Sequence, residues 1–433
     1  MTGRSDDGIR HVTTPLTNWA RNVTFQAARV HRPTSVGELQ SIVAGSSRLR
    51  ALGTGHSFSA VADTTGDLVS VAGLPRSVAV DAERATVTTS AGVSYGELAG
   101  LLHAQGWALP NLGSLPQISV AGACATGTHG SGRLLGALAT SVSGLQMVRP
   151  DGELVAISRD DEDFSGAVVA LGTLGVVTTV TLDVVRTFEV RQVVYVGLPD
   201  TTVAERFDEV MDSAYSVSIF TDWRSGVARV WRKDRVGLDA GDLGPEWLGA
   251  TASLVPSHPV PGVDPASATE QLGAPGPWHE RLPHFRVDFT PSSGDELQSE
   301  YLVAREHAPA AFEALAHVSE QVAPALQIAE IRTVAADDLW LSMAHGRSSV
   351  ALHFTWVDDQ VAATAAIVAV EQALEPFGPR PHWGKLFGTP PEAVAERYER
   401  LPDFQRLRSQ LDPTNKLGNE FVDRYLGDPR ETR

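Results

Sequence analysis

The first candidate for chemistry in this sequence is a histidine within a glycine-rich loop. His56 stands in residues 52–58, which read Leu-Gly-Thr-Gly-His-Ser-Phe and follow a short apolar run. A second glycine-rich segment occupies residues 119–132. Glycine and threonine allow backbone N–H groups to turn toward an anionic ligand and to approach it closely. The two loops together therefore predict a large phosphate-bearing cofactor rather than a single phosphate.

A second group of polar side chains stands in the later half of the chain. Glu330 and Arg332 are two residues apart, as are His353 and Thr355, and each pair lies in a strand-like run. Residues two apart on a strand share one face, so each pair would point the same way. Convergent polar groups of this kind suit a hydroxyl-rich ligand, whereas exposed surface ion pairs are the ordinary alternative. The other polar candidates are Ser114, Gln298 and Lys385.

A third stretch, residues 412–421, reads Asp-Pro-Thr-Asn-Lys-Leu-Gly-Asn-Glu-Phe. Together with the two glycine loops, it resembles the signature of flavoproteins in the vanillyl-alcohol oxidase superfamily, which carry a PCMH-type FAD-binding domain. Over nearly the whole chain the sequence is similar to the alditol oxidase (xylitol oxidase) branch, with a C-terminal domain like that of D-arabinono-1,4-lactone oxidases. The resemblance implies FAD, bonded covalently through a ring nitrogen of His56 to the 8α-methyl group of the isoalloxazine.

The resemblance also implies a fold and a set of cofactor contacts. The fold would be α+β, with an FAD-binding domain and a substrate (cap) domain built on a large antiparallel sheet flanked by helices. Backbone groups of both glycine loops would hold the pyrophosphate. The expected cofactor-binding residues are Gly53, Thr54, Gly55, His56, Ser57, Gly113, Ser114, Ser119, Gly122, Ala125, Thr126, Gly127, Thr128, Gly130, Gly175, Val176 and Lys385.

The activity implied by this resemblance is oxidation of an alcohol. The terminal primary alcohol of an acyclic polyol, such as xylitol or sorbitol, would become the aldehyde of an aldose, and dioxygen would become hydrogen peroxide. Arg332 and Lys385 would bind the reacting hydroxyl and favour its alkoxide form. His353 would accept the proton, although a deprotonated Lys385 could compete for that role. The remaining substrate contacts would be Ser114, Gln298, Glu330 and Thr355.

Three alternatives stay open on the sequence. An aldonolactone oxidase or dehydrogenase of the arabinonolactone or gulonolactone type would share the flavin loops, the Glu-x-Arg pair and the C-terminal signature. Glycerol or another small primary alcohol is a second possible substrate. A binding protein without FAD, with His56 as a relic, is the alternative of a different class.

The elements that position these groups follow from apolar spacing and turn residues. Thr34 or Ser35 is suited to cap a helix that begins at Val36, and residues 49–52 predict a strand leading into the first loop. Pro150, Asp151 and Gly152 predict a hairpin. Further strands are predicted at residues 287–290 and 350–356, and helices at residues 306–322 and 361–374. Domains are expected at residues 1–187 for FAD, 188–392 for substrate and 393–433 for a return to the FAD domain.

Charge and composition exclude several kinds of partner. A net charge of −17 over 433 residues argues against nucleic acid and against anionic membranes. The single cysteine, Cys124, excludes an intrachain disulfide. His345 and His353 lack a carboxylate at metal-ligand spacing, so no metal site is expected. Since no signal peptide or membrane-spanning run is evident, a cytoplasmic protein is expected. The resemblance implies a polyol and dioxygen as its partners, and we expect a monomer.

Overall fold

The first part of the chain forms three sheets around the glycine loops. The computed structural model describes residues 15–238, 243–289 and 295–431. Strands β1 (Arg29–His31), β2 (Leu49–Leu52) and β3 (Asp67–Ser70) form a parallel sheet in the order β1-β3-β2. An antiparallel sheet contains β4 (Val78–Asp81), β5 (Thr86–Ser90), β7 (Val142–Val148), β8 (Leu154–Ser158) and β9 (Val176–Asp183). The short strands β6 (Trp107–Ala108) and β10 (Val185–Arg186) pair with each other.

Local signals in this part of the sequence are confirmed. The Oγ of Ser35 accepts a hydrogen bond from the backbone N–H of Glu38 at 3.2 Å and caps the first helix. The predicted strand at residues 49–52 is β2, and the predicted hairpin joins β7 to β8. The helices of this part are α1 (Val36–Gly45), α2 (Tyr95–Ala104), α3 (Val120–Ala125) and α4 (Phe164–Val168).

The second part is built on one large antiparallel sheet. Its strands are β11 (Glu189–Pro199), β12 (Ser216–Thr221), β13 (Val227–Arg235), β14 (Glu246–Trp247), β15 (Ala250–Ala252), β16 (Gly276–Pro277), β17 (Glu296–Ala304), β18 (Leu326–Val334), β19 (Ser349–Val357) and β20 (Arg380–Pro381). Their order is β14-β15-β11-β13-β12-β18-β19-β17-β20, and β16 pairs with β11. The helices are α5 (Asp200–Glu205), α6 (Phe207–Met211), α7 (Ala308–His317), α8 (Ser319–Val322) and α9 (Gln360–Leu374).

Most of the predicted elements in this part are present, with two differences. The strand predicted at residues 350–356 is β19, and the helix predicted at 361–374 is α9. The helix predicted at residues 306–322 is divided into α7 and α8, because the N–H of Val318 bonds back to the carbonyl of Leu315 and ends the first helix. The strand predicted at residues 287–290 is wrong: residues 287–288 form a turn, and residue 290 lies outside the described residues.

Alternation along the central strands of the large sheet gives its two faces different roles. Ile331, Leu352 and Phe354 are buried in an apolar cluster with residues of helices α5 to α9. The neighbouring positions in the chain, including Glu330 and His353, point to the opposite face and line a cavity. The period of two in a strand therefore separates a core face from a polar face.

The last helices bring the chain back to the first glycine loop. They are α10 (Pro391–Arg397), α11 (Leu401–Leu411) and α12 (Glu420–Leu426). The side-chain amide of Asn419 donates to the carbonyl oxygens of Ala60 at 3.0 Å and Asp63 at 2.7 Å. Arg50, from β2, donates to the carbonyl of Leu417 at 2.6 Å. The predicted α+β class, with a large antiparallel sheet flanked by helices, is confirmed. Across the described residues, no helix combines the length and apolarity that a membrane span requires.

Candidate active site

A cavity of about 500 Å³ lies between the glycine loops and the polar face of the large sheet. The first loop contributes residues 53–57 to its wall, and the second contributes Ser119, Gly122 and their neighbours. Strands β17, β18 and β19 contribute the opposite side. Residues separated by more than two hundred positions in the sequence therefore line the same cavity.

The structure brings nearly all of the predicted site residues to this cavity. The seven predicted substrate or catalytic residues all line it: Ser114, Gln298, Glu330, Arg332, His353, Thr355 and Lys385. The predicted cofactor residues that line it, besides Ser114 and Lys385, are Gly53, Thr54, Gly55, His56, Ser57, Ser119, Gly122, Ala125, Thr126, Thr128 and Gly175.

Four of the expected cofactor contacts lie outside the cavity wall. Gly130 is enclosed, because a Cβ there would come within 2.3 Å of Asn111 Oδ1. Gly127 adopts a φ of +71° beside Met343, a conformation that favours glycine. Gly113 and Val176 complete this group, and Val176 is buried within β9. Cofactor contact at these four positions stays a prediction.

His56 lies on the cavity wall, where its imidazole has a lowered pKa. Its ring stacks on Trp19, with ring centroids 5.5 Å apart. Its Nδ1 is buried and makes no hydrogen bond with a described residue. Burial, reinforced by the positive charge of Lys385, lowers the pKa of His56 to about 4. The imidazole is therefore neutral near pH 7 and keeps an unshared electron pair.

Strands β17, β18 and β19 place a row of ionisable side chains on the side of the cavity opposite the glycine loops. Glu330 on β18 is paired in register with His353 on β19, and His353 with Glu300 on β17. Arg332 donates to Glu300 Oε1 at 2.6 Å, and its Nε lies 3.5 Å from Glu330 Oε1. The predicted sharing of one strand face by Glu330 and Arg332 is confirmed, and both are buried rather than exposed as a surface ion pair.

Burial and mutual attraction fix the charges of this row. Burial alone would raise the pKa of Glu330, but Arg332 and His284 outweigh it and hold that pKa well below the usual range. Burial would likewise raise the pKa of Glu300, but the neighbouring Arg332 and His129 outweigh burial and lower that pKa. Burial would lower the pKa of Arg332, but the two carboxylates raise it. Both carboxylates are therefore ionised beside a permanent cation.

Two groups in the cavity are suited to exchanging a proton. Burial lowers the pKa of His353, so its imidazole is neutral at pH 7. Its Nδ1 faces Glu300 Oε2 at 3.5 Å, and its Nε2 lies 3.4 Å from Thr355 Oγ1. Burial also lowers the pKa of Lys385, to about 8. The Lys385 ammonium donates to the side-chain oxygen of Gln298 and lies over the ring of Phe58.

Several residues of the site were not predicted from the sequence. Glu300 anchors Arg332, yet only its position two residues after Gln298 on a strand could have indicated that it shares this face. His129, His284 and His382, to which the sequence assigned no role, also line the cavity, whereas His345 does not. Their inclusion depends on contacts between distant segments.

The buried group His129, Glu300 and His382 could in principle ligate a metal, since its ligand atoms lie within 4.8 Å of one another. However, Arg332 donates to the same Glu300 oxygen that faces His129 at 3.2 Å. A divalent cation placed there would face this guanidinium. We therefore assign the group to the network that orients Arg332.

The wall of the cavity has features that suit a dinucleotide cofactor. Within the described chain, the backbone N–H groups of residues 54–57 donate no hydrogen bond to other residues. A Cβ at Gly53 would come within 2.6 Å of Ser119 Oγ, so the two glycine loops meet at a separation that favours glycine. Free N–H groups and a close approach of backbone segments are what a pyrophosphate needs.

Comparison with known proteins agrees with this geometry. Residues 27–158 match the family described as the FAD binding domain, and residues 294–425 match the D-arabinono-1,4-lactone oxidase family. An alditol oxidase from Streptomyces sp. (strain IKD472 / FERM P-14339) is 48% identical over 415 residues, which is 95% of this chain and 99% of that protein. The chain belongs to the alditol oxidase family. It is therefore an FAD-dependent oxidoreductase, and the alternative of a binding protein without FAD is set aside.

More distant relatives match nearly the whole length of the chain. An L-gulono-1,4-lactone dehydrogenase from Mycobacterium tuberculosis (strain ATCC 25618 / H37Rv) is 29% identical over 440 residues, covering 95% of this chain and 98% of that protein. A solved structure of glucooligosaccharide oxidase from Acremonium strictum has a TM-score of 0.72 at 14% identity, and the match covers 95% of this chain and 94% of that one. At such low identity, this likeness shows the fold.

Proposed function

We propose that this enzyme oxidises the terminal primary alcohol of acyclic polyols, such as xylitol and sorbitol, to the aldehyde of the aldose. Dioxygen would be the electron acceptor and hydrogen peroxide the second product. The observation that carries this proposal is the single cavity that joins the glycine loops to seven polar side chains suited to hydroxyl groups. The name of the Streptomyces relative, an alditol oxidase, supports the same substrate class.

The chain's own residues would prepare the alcohol for oxidation. The guanidinium of Arg332 and the ammonium of Lys385 would bind the reacting hydroxyl oxygen and stabilise negative charge as it develops there. The neutral imidazole of His353 would take the hydroxyl proton, with Glu300 beside its Nδ1 to stabilise the resulting cation. The secondary hydroxyls would be held by Ser114, Gln298, Glu330 and Thr355.

FAD would be held by the cavity-lining residues of the two glycine loops and by a bond to His56. When bound, it would supply the two-electron acceptor for the alcohol and the electrons for dioxygen. A neutral His56 with an unshared electron pair is the form that can act as a nucleophile in such a linkage. The glucooligosaccharide oxidase from Acremonium strictum, which has an 8α-N1-histidyl FAD, supports a histidyl link in this fold.

The division into domains is part of the same proposal. An FAD domain at residues 1–187 and a cap domain at 188–392 would meet at the cavity. Residues 393–433 would return to the FAD domain, as the contacts of Asn419 with Ala60 and Asp63 support. We also propose that the enzyme acts as a monomer, a proposal supported by the fact that one chain supplies all seven predicted substrate and catalytic residues of the cavity.

A second candidate substrate is an aldonolactone. The match of residues 294–425 to the D-arabinono-1,4-lactone oxidase family and the 29% identity to a gulonolactone dehydrogenase favour it. Peroxide formation should therefore be measured with xylitol, sorbitol, glycerol and L-gulono-1,4-lactone. We expect the highest kcat/KM with the five- and six-carbon polyols. A higher value with the lactone would assign the enzyme to the second class.

A further inference from the structure

Two further buried titratable residues, His284 and Lys233, form a chain of contacts that begins at Glu330. His284 Nε2 lies 2.7 Å from Glu330 Oε1, and Lys233 Nζ lies 3.2 Å from His284 Nδ1. Lys233 is only 1% exposed and His284 only 5%. Neither residue was singled out by the sequence, and the reaction described above does not use them. A lysine so fully buried is costly unless its charge is compensated, so its presence requires an explanation.

Donor and acceptor chemistry fixes the direction of this chain of contacts. Lys233 Nζ faces three acceptors, namely the carbonyl oxygens of Leu282 and Pro283 and Nδ1 of His284. Burial lowers the pKa of Lys233 to about 7, and its protonated form, which has three N–H donors and no acceptor, matches this set. His284 must then accept at Nδ1 and carry its proton at Nε2. From Nε2 it donates to the Glu330 carboxylate, as the low pKa of Glu330 requires.

Aromatic packing holds the imidazole in this orientation. The ring of Phe220 meets the His284 ring edge-on with centroids 5.5 Å apart, and Trp231 does so at 5.3 Å. The carbonyl of His284 also accepts from the backbone N–H of Thr269 at 2.9 Å. Two aromatic rings packed edge-on against the imidazole in this way restrict its rotation and favour one hydrogen-bonding geometry.

The consequence falls on Glu330. Among the described residues, its hydrogen bond with His284 and its ion pair with Arg332 both use Oε1. The second oxygen, Oε2, is therefore the one available to a ligand in the cavity. We propose that Lys233 and His284 are positioning residues that hold Glu330 ionised, with Oε1 fixed and Oε2 presented to a secondary hydroxyl of the substrate. This inference rests on the proposed function, because it takes a polyol as the ligand.

The proposal predicts a separation of KM from kcat. In His284→Phe, which keeps an aromatic ring and removes the donor, KM for xylitol should rise about tenfold to a hundredfold, since a hydrogen bond to a charged group is lost. The kcat should change less than about threefold, because the groups at the reacting carbon stay in place. His284→Gln, which restores an N–H donor, should recover part of the loss. His345→Phe, at a histidine outside the cavity, is the matched control and should leave both constants unchanged.

Coupling to Glu330 distinguishes positioning from general structural damage. If His284 acts through Glu330, His284→Phe should change kcat/KM less than about twofold in a Glu330→Gln background. Lys233→Met should raise KM by a smaller factor, and that effect should also vanish in Glu330→Gln. The absorbance of bound FAD reports whether each variant is folded. If His284→Phe loses its FAD, the test is carried out with Lys233→Met and His284→Gln instead.

Two results would overturn the inference. One is an unchanged KM in folded His284→Phe, His284→Gln and Lys233→Met. The other is a His284 effect that persists in full in the Glu330→Gln background. Failure of the proposed function would be recognised differently, because the unmodified enzyme would then oxidise no polyol. In that case the coupling between His284 and Glu330 would be measured with the lactone that the enzyme does oxidise.

Discussion

At the scale of single residues, the site depends on burial changing the protonation of ordinary side chains. His56, His353 and Lys385 all have lowered pKa values because each is enclosed and faces other cations. Glu300 and Glu330 stay ionised because they face Arg332. The cavity therefore offers neutral imidazoles and a fixed cation close together at neutral pH, which is the combination that deprotonation of an alcohol needs.

The proposed link to FAD gives a direct prediction for His56. In His56→Ala, FAD should bind only by noncovalent contacts, because the nucleophilic ring nitrogen is gone. After acid precipitation, the flavin absorbance should move from the protein pellet to the supernatant. His345→Ala, with its histidine outside the cavity, should keep the colour in the pellet. Yellow pellets from the His56 variant would show that the attachment lies elsewhere.

Lys385 gives a prediction for the pH profile. With a pKa of about 8, its ammonium is present below that pH and is lost above it. If the cation stabilises the alkoxide, kcat/KM should fall as the pH rises through 8, and it should fall on the acid side below the usual histidine range as His353 gains a proton. Lys385→Met should lower kcat/KM about a hundredfold to a thousandfold and remove the alkaline limb. A rate that rises through pH 8 would instead make Lys385 the base.

At the scale of elements, the alternation of side chains in the large sheet and the hydrogen bonds of Asn419 position the residues of the site. In strands β17, β18 and β19, residues two apart point to the same side, so Gln298, Glu330 and Thr355 share one face of the sheet. The residues next to them in each strand point to the opposite face and enter the core. This geometry follows from the residue spacing alone, so the pairing of Glu330 with Arg332 was predictable. The register that sets Glu300 beside His353 was not, because it depends on the pairing of two separate strands, β17 and β19.

The tether at Asn419 can be tested at this scale. Asn419 caps α12 by accepting from the N–H of Val422 at 2.9 Å, and its amide donates to carbonyls near the first glycine loop. Asn419→Ala should lower the free energy of unfolding by about 1–3 kcal/mol and loosen FAD binding. Asn419→Ser, which keeps a capping oxygen, should lose less, and the exposed neighbour Glu420→Ala should lose least. Thermal denaturation of the three variants measures this order, and equal melting temperatures would contradict the tether.

At the scale of the whole molecule, the large sheet uses one face for a helix-covered core and the other for the cavity. The sequence predicted the α+β class, most of the elements and the residues at both ends of the cavity. It missed Glu300 and the histidines at positions 129, 284 and 382, whose places depend on contacts between segments that are separated in the sequence. It also placed Gly113, Gly127, Gly130 and Val176 at the cofactor, and these four contacts stay a prediction, since the residues do not line the cavity.

The most direct test of the central claim is reduction of the bound flavin by a polyol in the absence of dioxygen. Mixing the enzyme anaerobically with excess xylitol separates alcohol oxidation from the later reaction with dioxygen. We expect complete bleaching of the flavin absorbance, faster than with L-gulono-1,4-lactone at the same concentration. Bleaching by the lactone alone, or no bleaching by any polyol, would contradict the account.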